Sequence, residues 1–277
     1  MNLSELSIVI VTYKSEDKIF SCLNSIPSEI STYVIENSNN LEFKNNLEKK
    51  YSNVRCTLAG ENLGYAAGNN KGLRQVKTKY ALILNPDTIV QKEAIENFFD
   101  LILNLKNFWL IGPGNNQSKK FTNEKKNYIE VENLKGFAIF INMEKFDKIF
   151  FDENFFLYFE EIDFCKMVKK KGGSIYIAKS IVIYHEGGSS VTKKNKLELE
   201  KNRNWHWMWS TFFFHKKYKG FLLAFMIILP KLIGASFKTI YYNLISDVEK
   251  KEIYSCRLSG IINSLTGKKS WYRPSLD

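Results

Sequence analysis

The chain has 277 residues, enough for one large domain or one domain with an appendage, and its 44% hydrophobic and 25% charged residues suit a globular protein that buries a core. Lys and Arg outnumber Asp and Glu 40 to 29, a net +11 that points to nucleic acid, an anionic membrane surface or phosphorylated substrates, unless it reflects the residue usage of an AT-rich genome. Neither an internal repeat nor a low-complexity tract is present. Cys22, Cys56, Cys165 and Cys256 lie far apart without C-x-x-C or zinc spacing, so they read as reduced thiols in a cytosolic protein. The opening "MNLSELSIVIVTY" lacks the basic region and cleavage site of a signal peptide, and none is expected.

"LSIVIVTY" (residues 6–13) is a β-branched run that predicts a buried strand. Helical spacing follows, with Ile19, Cys22, Leu23 and Ile26 on one face. "YVIENSNN" and "VRCTLAG" predict further strands, and "LGYAAGNNKGLRQV" a glycine-punctuated loop entering a helix. "YALILN" predicts a fourth strand, and an amphipathic helix then aligns Ile95, Phe98, Phe99, Ile102 and Leu105. Strands alternating with helices imply βαβ units and a largely parallel sheet. Ligands of such sheets sit beyond the carboxyl ends of the strands. Thr12 and Tyr13, Glu36 and Asn37, and Asn85 and Asp87 all fall at such ends. That shared position weighs against reading "NPD" (residues 85–87) as a mere turn.

From residue 136 the pattern changes. "GFAIFINMEKF" predicts a strand, followed by an aromatic loop, a helix opening on Glu160, Glu161 and Asp163, and two short strands ending at His185. A lysine-rich connector from about residue 190 leads into "WHWMWSTFFFHKKYKG" and "FLLAFMIILPKLIGASF".

Each constellation has a structural and a functional reading. The glycines of "AGENLGYAAGNNKGL" cap a helix, or let the backbone approach a ligand whose base or ribose the Asn side chains read. Three acids at a helix start are favoured by the helix dipole, yet acids among aromatic residues have raised pKa values and suit a general base. His185 is a structural histidine, or the imidazole that completes a Mg²⁺ or Mn²⁺ site begun by Asp87. The run "FLLAFMIIL" stops at Pro230-Lys231, short of the ~18–20 residues that span a bilayer, and predicts a buried helix. Aromatic residues beside lysines equally suit an anionic membrane interface. No nucleic-acid partner is expected, because the basic residues are scattered and form no recognisable module.

The segments "SIVIVTYKSEDKIFSCLNSI", "ENLGYAAGNNKGL", "LILNPDT", "GFAIFIN", "FFDENFFLYFEEIDFCKMVKKKGG" and "YHEGGSS" together resemble the family 2 glycosyltransferases, most closely a bacterial rhamnosyltransferase-like branch. The resemblance spans about residues 5–192, with a weaker echo in "RLSGIINSLTGKK". It implies an α/β fold of the GT-A type with a mostly parallel central sheet flanked by helices. A catalytic domain would cover residues 1–192, nucleotide-binding to about 112 and acceptor-binding beyond. A helical, aromatic and basic extension, 193–277, would meet membrane or acceptor.

The implied activity is metal-dependent, inverting transfer from a nucleotide sugar, dTDP-rhamnose first and UDP-linked sugars such as galactofuranose next. The acceptor would be a glycan or a polyprenyl-diphosphate-linked glycan of the cell surface, reached peripherally at the cytoplasmic face of the plasma membrane. Thr12, Tyr13, Glu36, Asn37, Gly64, Asn69, Asn85 and Asp87 would line the nucleotide sugar, with Asn69 where many relatives carry arginine. "NPD" takes the place of the family's D-x-D motif, so Asp87, helped by His185, would hold Mg²⁺ or Mn²⁺. Glu161 matches the catalytic base, with Asp163 and Glu160 as alternatives. Asn85 in place of an acid, and Glu161 in place of aspartate, motivate a rival reading: a non-catalytic nucleotide-sugar-binding partner of a glycan assembly complex.

Overall fold

The computed structural model describes residues 2–105, 107–115, 127–185 and 193–275. The chain divides into two compact units: Met1–Asp152 with Glu161–Gly188, and Glu153–Glu160 with Ser189–Asp277.

In the first unit, β1 (Leu6–Thr12), β2 (Ser31–Glu36), β3 (Val54–Leu58) and β4 (Tyr80–Leu84) run parallel, in the order β3-β2-β1-β4. The sheet continues through β8 (Ala138–Asn142), β6 (Phe108–Pro113), β9 (Ser174–Ala178) and β7 (Tyr128–Glu130) to eight strands, with β8 antiparallel to both neighbours. β1 and β4 are buried nearly end to end because helices cover both faces. On one side α1 (Glu16–Asn24), α2 (Leu41–Lys50) and α4 (Lys92–Asn104) supply Ile19, Leu47, Ile95 and Phe98 to the core. On the other, α3 (Gly64–Leu73) and α5 (Glu160–Lys170) contribute Leu73, Phe164 and Val168. A separate two-stranded sheet joins β5 (Thr88–Val90) to β10 (Ile183–His185), setting His185 opposite Thr88.

The glycine-punctuated segment is helical from Gly64 onward, where a loop entering a helix was expected. A Cβ on Gly68 would stand 2.8 Å from a Val11 methyl carbon, and one on Gly72 2.4 Å from a Val9 methyl carbon. Gly68 and Gly72 therefore press α3 against β1. Their missing side chains serve helix–sheet approach, not close approach to a ligand. Gly64 differs, with φ +76° at the helix start, a conformation that L side chains rarely adopt.

The second unit is built on α6 (Lys193–Leu244) and α7 (Val248–Leu265). Gly220, at φ 77° and ψ 170°, breaks α6 into two segments. The chain reverses there: Met208 and Phe212 share a core with Ala224, Ile228 and Ile261, which one straight helix of ~1.5 Å rise per residue forbids. Trp205, Trp209 and Phe212 are buried, with the indoles donating to Ser259 Oγ (3.1 Å) and the Lys268 carbonyl (3.0 Å). Of the aromatic cluster offered to a membrane interface, these residues form core, and Trp207 stays exposed.

The expectation that the apolar run ends at Pro230 is also overturned. The helix passes through Pro230 to Leu244, and α6 is long and apolar enough, by length and composition, to cross a membrane. Only 17% of its most apolar stretch is buried. Pro removes one backbone donor, a modest loss where Ala224, Ile228 and Ala235 are already packed.

Candidate active site

Parallel packing brings the carboxyl ends of β1, β2 and β4 side by side. The Asn37 amide N–H donates to the Thr12 carbonyl (2.9 Å), joining the first two ends. Asn37 Nδ2 donates to the Gly64 carbonyl (3.1 Å), fixing the start of α3 to the same rim. Thr12 Oγ1, Asn37 Oδ1 and Asn69 Oδ1 are buried without a hydrogen-bond partner among the described residues, although such groups are ordinarily satisfied. Asn69 lies in α3, its Nδ2 donating back to the Tyr65 carbonyl (2.9 Å). Burial raises the Tyr13 pKa, against a hydrogen bond with Asn62 that lowers it, and the Glu36 charge adds to the rise.

Glu36 is buried and shared out locally. Its Oε1 accepts from the Ser38 amide (2.7 Å) and its Oε2 from the Asn40 amide (2.6 Å). Each oxygen keeps further lone-pair capacity, so a ligand donor can be added without breaking either bond.

At the end of β4 the turn is held by the Asn85 carbonyl, which accepts from the Thr88 amide (3.2 Å) and hydroxyl (2.7 Å). The β5–β10 pairing delivers His185 from a hundred residues away. His185 Nε2 lies 3.2 Å from Asp87 Oδ1 and 3.5 Å from Asn85 Nδ2, and its ring stacks on Phe137 at 5.0 Å. Asp87 Oδ1 is buried and receives no hydrogen bond among the described residues. Adjacent ligands of an octahedral ion at ~2.1 Å stand about 3 Å apart, so one carboxylate and one imidazole at this spacing fit a shared Mg²⁺ or Mn²⁺. No group of three His, Cys, Asp or Glu is assembled among the described residues.

Asn85 N–H donates to the Phe137 carbonyl (2.9 Å), which ties this corner to the segment before β8. Its neighbour Gly136 accepts from the Tyr65 hydroxyl, and a Cβ there would lie 3.6 Å from Glu161 Cβ. Two consecutive residues thus carry the Asp87–His185 pair on one side and Glu161 on the other. Burial pushes the Glu161 pKa up, against hydrogen bonds from its own amide and that of Ile162. Glu161 is half-buried, whereas Glu160 and Asp163 are only 5% and 3% exposed. Immediately before α5, Tyr158 and Phe159 hold left-handed φ of 71° and 69°, pinned by Trp207 (5.2 and 5.4 Å between ring centres). Backbone strain of this kind costs about 1–3 kcal/mol per residue and gathers at working sites.

Residues 7–170 match the family model for glycosyl transferase family 2. The chain belongs to that family. A hexosyltransferase of low-salt glycan biosynthesis, Agl10 of Haloferax volcanii, is 28% identical over 200 residues, covering 62% of this chain and 64% of the relative. The chain therefore spans less than two thirds of that protein's length. Among solved structures, the mannosyltransferase PcManGT of Pyrobaculum calidifontis, in complex with GDP-Man and Mn²⁺, superposes with a TM-score of 0.58 at 11% identity, covering 96% of this chain and 88% of its own. GalNAc-T7, with UDP, GalNAc and Mn²⁺, gives 0.56 at 13% identity over 78% of this chain and 52% of its own. TarS of S. aureus gives 0.53 at 13% over 90% and 55%. These likenesses establish the GT-A fold.

The family match ends before β9, so His185 and the Ser189–Asp277 part of the helical unit lie outside it. Sequence reasoning singled out Asp87, His185 and Glu161, and missed Tyr65, Gly136, Phe137 and Asn62. "GFAIFIN" reads as a strand and as part of the family resemblance, and nothing local marks its first two residues as the bridge. The "EGGSS" after His185 lies outside the described residues.

Proposed function

We propose that this chain is a metal-assisted, inverting glycosyltransferase that moves a sugar from a nucleoside diphosphate to an acceptor hydroxyl. The observation that carries the reading is Asp87 Oδ1: a buried carboxylate oxygen with no hydrogen bond among the described residues, 3.2 Å from His185 Nε2, at the strand ends of a GT-A sheet. Asp87 and His185 would hold Mg²⁺ or Mn²⁺, and that ion, when bound, supplies positive charge against the diphosphate leaving group. Thr12, Tyr13, Glu36, Asn37, Gly64, Asn69 and Asn85 would seat the nucleotide sugar along the rim. The unsatisfied Thr12, Asn37 and Asn69 oxygens support this placement, because each accepts a donor at no further desolvation cost.

Glu161 is the base in this reading. A carboxylate with a raised pKa binds the acceptor's proton more readily as the oxygen attacks the anomeric carbon. The bond to the diphosphate breaks from the opposite face, and the configuration inverts in one displacement. Half-burial lets Glu161 meet an acceptor, while Glu160 and Asp163 are enclosed.

The rhamnosyltransferase-like resemblance favours dTDP-rhamnose, with UDP-linked sugars next. The related hexosyltransferase of glycan biosynthesis supports a glycan acceptor, cytoplasmic and lipid-linked in this reading. Peripheral membrane contact is supported by the second segment of α6. Leu222, Met226, Leu229, Ile233, Phe237, Ile240 and Leu244 form one exposed stripe at spacings of three and four. Lys231 and Lys238 project away from that stripe. Lying in the interface keeps them wet, whereas crossing the bilayer would place Lys231 near its centre at about 2.5–3.5 kcal/mol.

The test is thermal melting of the full chain with dTDP, UDP and GDP, each with and without Mn²⁺. One nucleotide at 100 times its Kd should stabilise the fold by roughly 2.7 kcal/mol, dependent on the metal and lost in Asp87→Ala. Silence with all three nucleotides would overturn the reading in favour of a non-catalytic partner. Membrane contact is tested separately, since Ile233→Asp with Phe237→Asp should release the protein from membranes without altering the nucleotide response.

A further inference from the structure

A pocket of ≈ 160 Å³, open to solvent on one side, lies in the helical unit where both segments of α6 meet α7, and its Lys231 and Lys238 side chains are exposed. Lys231, Lys238 and Arg257 line it with Tyr254, while Gly234 and Ala235 form its small-residue wall. No carboxylate lines it, and among the described residues none pairs with any of the three cations. This is unlike nearby Lys201, which sits between Glu198 (2.6 Å) and Glu252 (3.1 Å). Arg257 Nε is buried with no hydrogen-bond partner, and the guanidinium leans on the Tyr254 ring at 5.4 Å. Lys238 Nζ donates to the Tyr254 hydroxyl (3.2 Å), which leaves the phenolic proton free to be donated onward.

Three cations held together without counter-charge repel one another, and a buried guanidinium N–H left unmade is costly. Both penalties vanish when a multiply charged anion enters. We propose that this cavity is a binding site for a phosphate or diphosphate group. Arg257 would present its planar fork, Lys231 and Lys238 point charges, and Tyr254 a hydroxyl donor. A single carboxylate matches neither the charge nor the number of donors. All of its residues belong to the helical unit, and none of them is assigned to the proposed donor site. The group could be carried by a lipid headgroup or be free in solution, and the two arms of the experiment separate these sources.

The experiment uses the full chain and three variants. Lys238→Gln and Arg257→Gln remove cations. Gly234→Leu keeps every charge but fills the cavity; a Cβ at Gly234 meets nothing within 4 Å, so this variant should fold. Flotation is measured with phosphatidylcholine vesicles, alone or with phosphatidic acid (a phosphate monoester) or phosphatidylglycerol (a diester). Calorimetry with inorganic pyrophosphate runs in parallel.

A lipid source predicts that each variant weakens binding to phosphatidic acid by about fivefold while phosphatidylglycerol binding holds. A soluble source predicts that the variants lose pyrophosphate heat while vesicle binding is unchanged. The proposal is overturned if the variants leave both readouts intact, or lower both anionic lipids alike with no pyrophosphate effect. It is equally overturned if Gly234→Leu binds as the unmodified chain does.

Discussion

Two carboxylates close neighbouring parts of the same sheet edge and are treated in opposite ways. Glu36, after β2, has both oxygens occupied by backbone amides of its own turn. Asp87, after β4, has a buried oxygen that accepts no hydrogen bond among the described residues and faces an imidazole 3.2 Å away. The first makes the edge rigid, and the second leaves it unfinished until something positive arrives. A strand-end acid is therefore informative only once its hydrogen bonds are counted, because a carboxylate at the end of a parallel strand describes both.

The contrast can be sharpened or broken by substitution. The largest effect is expected outside the pair, at Glu161. Glu161→Gln should cut turnover by roughly 10²–10⁴-fold with donor binding retained. Because burial raises its folded pKa, ionised Glu161 costs stability as pH rises through the window between the ordinary glutamate value and the raised one. Glu161→Gln should therefore melt higher at neutral pH, and the acid limb of the rate profile should sit above the usual carboxylate range. Full turnover in Glu161→Gln, with loss in Asp163→Asn or Glu160→Gln, would move the base.

Asp87→Asn comes next. Metal-dependent nucleotide affinity should fall on the order of 100-fold, comparable to the upper effect of disturbing a metal site's supporting groups. The ligand-free melting temperature should hold or rise. Glu36→Gln should show the reverse. A carboxamide cannot accept from both amides, so the ligand-free fold should lose about 1.5–3 kcal/mol in denaturant titration. If Glu36→Gln melts normally, or Asp87→Asn melts early, the contrast is wrong.

The smallest effect extends the same logic to the helical unit. His206 is fully buried, its Nε2 donating to the Tyr272 carbonyl (2.8 Å) and its Nδ1 3.0 Å from Ser270 Oγ. Burial drives its pKa down to about 3, the Tyr272 carbonyl opposing and Arg273 adding to the fall. The unfolded chain takes the proton first, so stability is intact above about pH 6.5 and lost as pH falls toward 3. By pH 5 the loss should reach about 2 kcal/mol, and His206→Gln should flatten the slope.

Most of the α/β unit was legible because its strands are uninterrupted apolar runs that end in polar residues. The pairing of Asp87 with His185 was legible as a motif, and the geometry supplies the 3.2 Å separation. What stayed hidden depends on partners distant in sequence. Gly68 and Gly72 look like ligand-loop glycines until Val11 and Val9 are seen against them. Pro230 looks like a helix stop until the packed residues on either side of it are seen. Gly220, which reverses the chain, is one glycine among lysines and aromatics with no local sign of a turn. The second segment of α6 then exposes a stripe where the sequence alone left a buried helix and a membrane interface both open.

The short pairing of β5 with β10 sets an order of assembly during synthesis. Strands β1 to β4, with both strand-end acids, are complete once residue 90 has emerged, but the imidazole facing Asp87 is made almost a hundred residues later. Closing that long loop on a three-residue ladder yields few hydrogen bonds against its entropy, so the corner should close late, after the central sheet has formed. A nascent chain stopped before residue 183 would carry Asp87 and no imidazole facing it. On the proposed reading, the pair that holds the metal would be assembled only as the last strand of the first unit emerges.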